Sequence, residues 1–133
     1  MQATVPAMAE RGWGRVVNIS SVAAEWPSPL QPAYAASKAG VIALTKTVAK
    51  EYADRGVTCN AVLPGLIATP LALSMPEEMR NLMVRQVPAG RLGQTAEIAA
   101  VVAFLASPAA SFVNGAAIPV DGGWLVGPPL RAD

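Results

Sequence analysis

The sequence predicts an α/β fold in which about three short parallel strands lie between helices. Two observations give the strands. The runs RVVNIS (15–20) and GVTCNAVLP (56–64) are apolar and β-branched on both faces, as a strand buried on both sides requires. The segment between them carries a long helical pattern, which makes a strand–helix–strand unit with a right-handed crossover. A third observation concerns coverage. Only 14% of the 133 residues are charged, against about 25% in ordinary globular chains, so much of the surface is expected to be covered by the fold or by a partner.

Each element follows in order. ATVPAMAERGWG (3–14) reads as a helix tail that stops at Gly12, with Gly14 giving a turn. RVVNIS is the first strand. SVAAEWPSPLQP (21–32) is a loop, because Pro27, Pro29 and Pro32 forbid regular structure over most of it. Pro32 suits a first helical turn, and the helix should run to Gly56 as its left-handed end. Its residues Ala35, Ala36, Ala39, Gly40 and Ala43 form a small-residue face that another backbone could approach closely.

GVTCNAVLP is the second strand. Ser74 and Glu77 read as a capping box for a helix ending before Pro88. TAEIAAVVAFLAS (95–107) is a third, strongly apolar helix, capped by Thr95 and stopped by Pro108. GAAIPVDGGW (115–124) holds a last strand, and Pro119 inside it argues for an edge position. The strand at 15–20 has no partner for its outer edge, so something must cover it. One domain spanning 1–133 is expected, since two cores would need more chain.

Composition excludes several functions. A net charge of +1 with scattered basic residues leaves no footprint for nucleic acid. No apolar run reaches a membrane span, and no basic-then-apolar leader opens the chain. The single Cys59 excludes an internal disulfide and fits a reducing cytoplasm. With no His at all, imidazole catalysis is excluded and the commonest metal ligand is missing; no metal site is expected.

The chemistry-bearing motif is Tyr34-x-x-x-Lys38, with Ser21 thirteen residues before the Tyr. Tyr34 and Lys38 share one helix face. A phenol is a weak acid at neutral pH, and an ammonium a few ångströms away stabilises its phenolate. Ser21 follows a parallel strand, at the end where open α/β sheets bind ligands. Taken alone, such a Tyr–Lys pair is an ordinary solvated helix face and such a serine is ordinary turn chemistry.

Several other residues read as structural. Cys59 reads as a buried thiol, and Met75, Met79 and Met83 as one apolar helix face. Trp26 either lines a pocket or packs a loop, and Asp121-Gly122-Gly123 forms a turn.

The ensemble carries more than its parts. GWGRVVNISS, the Tyr-x-x-x-Lys pair, KAGVIALTKTVAKEYADRGVTCNAVLPGLIATPL and GRLGQTAEIAAVVAFLASPAASFVNGAAIPVDGGW occur in order and together resemble the short-chain dehydrogenase/reductase family. The resemblance implies a Rossmann-like layer and NAD(P)-dependent carbonyl/alcohol oxidoreduction of a small-molecule substrate. Tyr34 would exchange the proton, Lys38 would stabilise its phenolate and contact a ribose, and Ser21 would hold the substrate oxygen. Pro64, Gly65, Ile67 and Thr69 match the stretch that lies against the nicotinamide, and 76–87 matches a mobile substrate-covering segment. The helix from Pro32 matches the family's oligomer interface, so a homo-oligomer, dimer or tetramer, is expected to complete the layer.

The family's glycine-rich turn, its cofactor-selecting residue and its catalytic Asn have no counterpart in these 133 residues. Gly12-Trp13-Gly14 precedes a strand instead of following one. The chain therefore resembles the family's C-terminal half, and it is not expected to bind NAD(P) or to act as a dehydrogenase unaided. Two alternatives are a cofactor-independent ester or lactam hydrolase, with Ser21 activated by Tyr34 and Lys38, and a non-catalytic oligomerising module.

Overall fold

The computed structural model describes residues 1–129. Three parallel strands, β1 (Gly14–Ile19), β2 (Val57–Pro64) and β3 (Ala117–Val120), form one sheet in the order β1-β2-β3. The register pairs Val16 with Cys59 and Val62 with Ile118. Helices α1 (Val5–Glu10) and α2 (Pro32–Tyr52) cover one face and α5 (Thr95–Ala106) covers the other. Two short helices, α3 (Pro70–Leu73) and α4 (Glu77–Val84), lie between β2 and α5 in sequence. The predicted α/β layer of three parallel strands with flanking helices is therefore the observed one.

β2 sits at the centre. All of its residues from Val57 to Leu63 are buried. Cys59 and Val57 pack with Val48 and Ala49 of α2 and with Val5 and Ala9 of α1. Val62, on the opposite face, packs with Leu105 of α5 and Ala110. The alternation of strand side chains thus feeds two separate cores. β3 is an outer strand. The carbonyls of Ala116, just before it, and Val120 accept from the N–H groups of Ala61 in β2 and of Gly65 just after β2, so Pro119, which lacks an N–H, lies at a position directed away from β2.

Polar groups inside the layer are matched with few exceptions. Asn114 accepts from the Cys59 N–H (2.8 Å) and donates to the Ala49 carbonyl (3.1 Å). Asn60 donates to the Val113 carbonyl (2.8 Å) and accepts from the Ala116 N–H (3.0 Å). These two side chains fasten the loop that delivers β3 to the sheet. On the α2 face, Asn18 donates to Thr45 Oγ1 (2.8 Å), which itself donates to the Val41 carbonyl. Burial pushes the Cys59 thiol up, partly offset by hydrogen bonds with Thr45 and Asn18, and the residue is a buried structural thiol as expected.

Several local expectations need correction. Gly14 begins β1 instead of forming a turn, and Gly12 takes the left-handed conformation (φ 69°). The loop after β1 contains a one-turn 3-10 helix, Val22–Ala24. α2 ends at Tyr52 and tightens into a 3-10 turn, Ala53–Arg55, before Gly56 (φ 71°) terminates it. Ser74 and Glu77 form no capping box. Pro76 occupies the N-cap of α4, Ser74 Oγ donates back to the Leu71 carbonyl, and the helix expected at 76–87 ends at Val84. Gln94, not Thr95, caps α5.

Trp26 is exposed, neither packed nor lining a cleft. Met75, Met79 and Met83 do not form one helix face: Met75 precedes α4 and lines a cleft, and Met79 is half exposed. Ala36, Ala39, Gly40 and Ala43 of α2 are exposed in this chain. No helix among the described residues is long and apolar enough to cross a membrane.

Among the described residues one buried hydroxyl, Thr58 Oγ1, has no hydrogen-bond partner, and an unsatisfied buried hydroxyl costs roughly 1–3 kcal/mol. Thr58→Val should therefore raise the urea midpoint. Thr45→Val should lower it, by about 1–3 kcal/mol in stability, because it strips Asn18 of its short hydrogen bond. Equal effects from the two substitutions would contradict this pairing of polar groups.

Candidate active site

In a parallel sheet all strands point one way, so their C-terminal ends form a common edge, and β1 and β2 open there into a cleft of about 1070 Å3. Ser21, Tyr34 and Lys38 line it, together with Pro64, Gly65, Ile67 and Thr69. All seven residues singled out in the sequence therefore meet in one cavity. Leu30, Leu71, Met75 and Ile98 give the same cavity apolar walls, and among the described residues Lys38 is the one charged group along its lining.

Local structure explains each placement. Ser21 has extended backbone and caps the 3-10 turn, its Oγ accepting from the Ala23 N–H at 3.2 Å. Pro32 begins α2 and sets Tyr34 and Lys38 in its first two turns. Lys38 Nζ lies 5.7 Å from the centroid of the Tyr34 ring, within cation–π range. The same ammonium donates to the Ile19 carbonyl at 3.1 Å, at the end of β1. Buried Ser20 donates to the Lys38 carbonyl at 2.8 Å. Lys38 is thus held to the end of β1 by both its backbone and its side chain. The Tyr34 side chain is nearly half exposed. No direct hydrogen bond joins Ser21 to Tyr34 among the described residues; they share the cleft and not a contact.

The opposite wall is the turn after β2. Gly65 donates to the Val120 carbonyl, and a Cβ there would lie 2.7 Å from Asp121 Cα. Only glycine lets the ends of β2 and β3 come this close. Asp121 in turn accepts from the Gly123 and Leu125 amides and closes the turn after β3. Thr69 caps α3, accepting from the Ala72 N–H at 3.2 Å. Its place in the cleft lining was read from the sequence; its capping role was not.

Behind this wall lies a feature the sequence reading passed over. Glu97, in the first turn of α5, accepts from Arg91 through both carboxylate oxygens (2.9 and 2.7 Å) and from the Gln94 N–H (2.6 Å). Those hydrogen bonds hold the Glu97 carboxyl down at about 2, while the neighbouring carboxylate raises the Arg91 guanidinium. Glu97 at the third position of the helix is the half of a capping box that the sequence shows; Gln94 is not a usual N-cap residue, so the box itself is a finding of the structure. Among the described residues no cluster of His, Cys, Asp or Glu could hold a metal.

Among the described residues the cavity lining offers a tyrosine, two serines and one cation beside an apolar wall, a chemistry that would suit a flat amide-bearing ring, and it holds no glycine-rich turn between a strand end and a helix of the kind that cradles phosphates.

Known proteins resemble this chain closely. A family model described as enoyl-(acyl carrier protein) reductase matches residues 1–125. The 3-oxoacyl-[acyl-carrier-protein] reductase FabG of Thermotoga maritima is 46% identical over 125 residues, covering 94% of this chain and 51% of that protein. The (3R)-3-hydroxyacyl-CoA dehydrogenase of Rattus norvegicus is 45% identical over 112 residues, 84% of this chain and 43% of the other. The solved 3-oxoacyl-[acyl-carrier protein] reductase of Brucella melitensis superposes with a TM-score of 0.89 at 41% identity, covering 92% of this chain and 46% of that one. A structure from Agrobacterium tumefaciens with bound NADP, assigned as a 2-deoxy-d-gluconate 3-dehydrogenase, gives 0.89 at 40% identity, covering 94% of this chain and 52% of that one. The chain spans about half the length of the curated relatives it matches.

The depressed Glu97 carboxyl has a consequence for acid stability. A carboxylate whose folded value lies below its unfolded value of 4.5 contributes stability that is complete above that value and lost as the pH falls towards about 2. Because the pair is half exposed, the contribution is small and salt-sensitive. Glu97→Gln should lower stability at pH 6 and bring wild type and variant together below about pH 2. A gap between them that persists in acid would contradict this assignment.

Proposed function

The chain belongs to the short-chain dehydrogenase/reductase family, and on that premise we propose that its cleft carries out NAD(P)H-dependent reduction of a ketone, with a 3-oxoacyl thioester as substrate. The observation that supports the reading best is the convergence of Ser21, Tyr34 and Lys38 with the 64–69 turn on one cavity at the strand ends. The substrate class follows the names of the similar reductases and dehydrogenases. Apolar walls at Leu30, Leu71 and Met75 suit an acyl chain.

Pro64, Gly65, Ile67 and Thr69 would hold the nicotinamide end. The bound nicotinamide supplies the hydride that the carbonyl carbon accepts. Tyr34 donates its phenolic proton to the carbonyl oxygen as negative charge develops there, converting C=O to CH–OH. Lys38, held beside the ring by Ile19, stabilises the phenolate left behind. Ser21 accepts from the Ala23 N–H, which leaves its own proton free to donate to the same substrate oxygen. The dinucleotide's phosphates and adenosine need residues beyond those lining this cleft.

Hydrolysis with Ser21 as nucleophile would require its hydroxyl to be hydrogen-bonded to a base. Ser21 has no such bond to Tyr34 or Lys38 among the described residues, and the Lys38 ammonium is engaged with Ile19. No observation favours the hydrolytic reading.

A chimera tests the reductase reading. Joining the N-terminal half of the Thermotoga maritima relative to this chain should restore NADPH-dependent reduction of acetoacetyl-CoA. Tyr34→Phe in that chimera should reduce kcat by on the order of 10²–10⁴. A folded, NADPH-binding chimera that reduces no ketone, or one that Tyr34→Phe leaves unimpaired, would overturn the reading.

A further inference from the structure

We propose that Glu97 is a positioning residue for the nicotinamide-side wall, which it fixes from behind by clamping the loop before α5. The hydrogen bonds run in an unbroken series. The Glu97 carboxylate holds the Arg91 side chain and the Gln94 amide. Gly93, between them, forms an isolated parallel bridge with Ile67. Across that bridge Gly93 donates to the Leu66 carbonyl (2.9 Å) and accepts from the Ala68 N–H (2.8 Å). Ile67 and Thr69, on either side of Ala68, line the cleft. Thr95 and Ile98, flanking Glu97 on the same helix turn, line it too.

The wall has few other fastenings. Residues 66–69 lie beyond the end of β2 and outside the sheet; apart from the Gly93 bridge, their backbone bonds are a tight turn from the Thr69 N–H to the Ile67 carbonyl (2.8 Å) and one from the Leu73 N–H of α3 to the Thr69 carbonyl (2.9 Å), so Ile67 and Ala68 have no sheet partner. A two-residue bridge is too short to hold register without support on its far side. The Arg91–Glu97 pair supplies that support by a planar bidentate fork, the geometry that makes an exposed ion pair specific. Exposed pairs contribute little to global stability, so the effect of Glu97 should be local. As a device for holding Ile67 and Thr69, Glu97 touches neither substrate nor cofactor and acts through Gly93.

The inference rests on the reductase reading for the wall's purpose but not for its mechanics, and the test separates the two. Amide hydrogen exchange is measured on the full chain without cofactor, in wild type, Glu97→Gln and Arg91→Lys, the last keeping the charge and losing the fork. Exchange at Ala68 and Gly93 should accelerate on the order of tenfold in Glu97→Gln and less in Arg91→Lys. Cys59 and Ala61 in β2 should accelerate far less, by no more than the small loss of global stability allows. Unaltered exchange at Ala68 and Gly93, or an equal acceleration reaching β2, would overturn the proposal. In the chimera, Glu97→Gln should raise KM for NADPH several-fold and leave KM for acetoacetyl-CoA in place. A rise shared equally by both would overturn it as well.

Discussion

A parallel strand buried on both faces has no water to satisfy its backbone, so every N–H and C=O must find a partner on a neighbouring strand, and β2 is such a strand. The remaining structure can be derived from that requirement. β1 and β3 supply the partners. α1 and α2 on one face and α5 on the other supply the cover. Where β3 is too short to reach along the whole of β2, the side chains of Asn60 and Asn114 take over the pairing. Because the strands are parallel, satisfying β2 also brings the ends of β1 and β2 together at one edge, and the cleft is the space left there.

The same constraint explains why the candidate residues are well placed without touching one another. Ser21, Lys38 and Gly65 are each tied to a strand end, and Tyr34 is placed by its helix turn beside Lys38. Ser21 is positioned by the turn that leaves β1, and Lys38 by two hydrogen bonds back to Ile19 and Ser20. Gly65 is positioned by contact with Asp121 at the end of β3. The sheet acts as a common frame, so the polar tips face a shared volume. The wall at 66–69 is the exception. It lies past the sheet and takes its order from the helix on the other side. One flank of the cleft is thus built on the sheet and the other on an exposed ion pair.

Much of this was legible in the sequence, for physical reasons that can be named. Two-sided apolar runs gave β1 and β2; β2 is buried on both faces as such a run requires, whereas β1 is only half-buried and leaves Ile19 exposed. Pro32 and Gly56 bracketed the long helical stretch, because each has a backbone preference that few residues share. Pro119 marked an outer strand by its missing donor. Ser21, Tyr34 and Lys38 came from spacing together with the family resemblance. Caps were read less well. Ser74 and Glu77 had the right spacing, but Pro76 set a different start; Thr95 was taken for the cap that Gln94 provides. In both places two adjacent residues could serve, and tertiary contacts chose between them. The Arg91–Glu97 fork was out of reach, since its importance depends on Gly93 meeting Ile67, a contact that no local pattern encodes.

In the proposed reductase site, the nicotinamide end would be formed by this chain's own residues. Titrating the purified chain with NADPH, with backbone amide resonances followed by NMR, tests it most directly. Weak binding should move the resonances of Gly65, Ile67, Thr69, Tyr34 and Lys38 and leave α4 and the start of β1 in place. Resonances unmoved at millimolar NADPH, or shifts confined to surfaces away from the cleft, would contradict it.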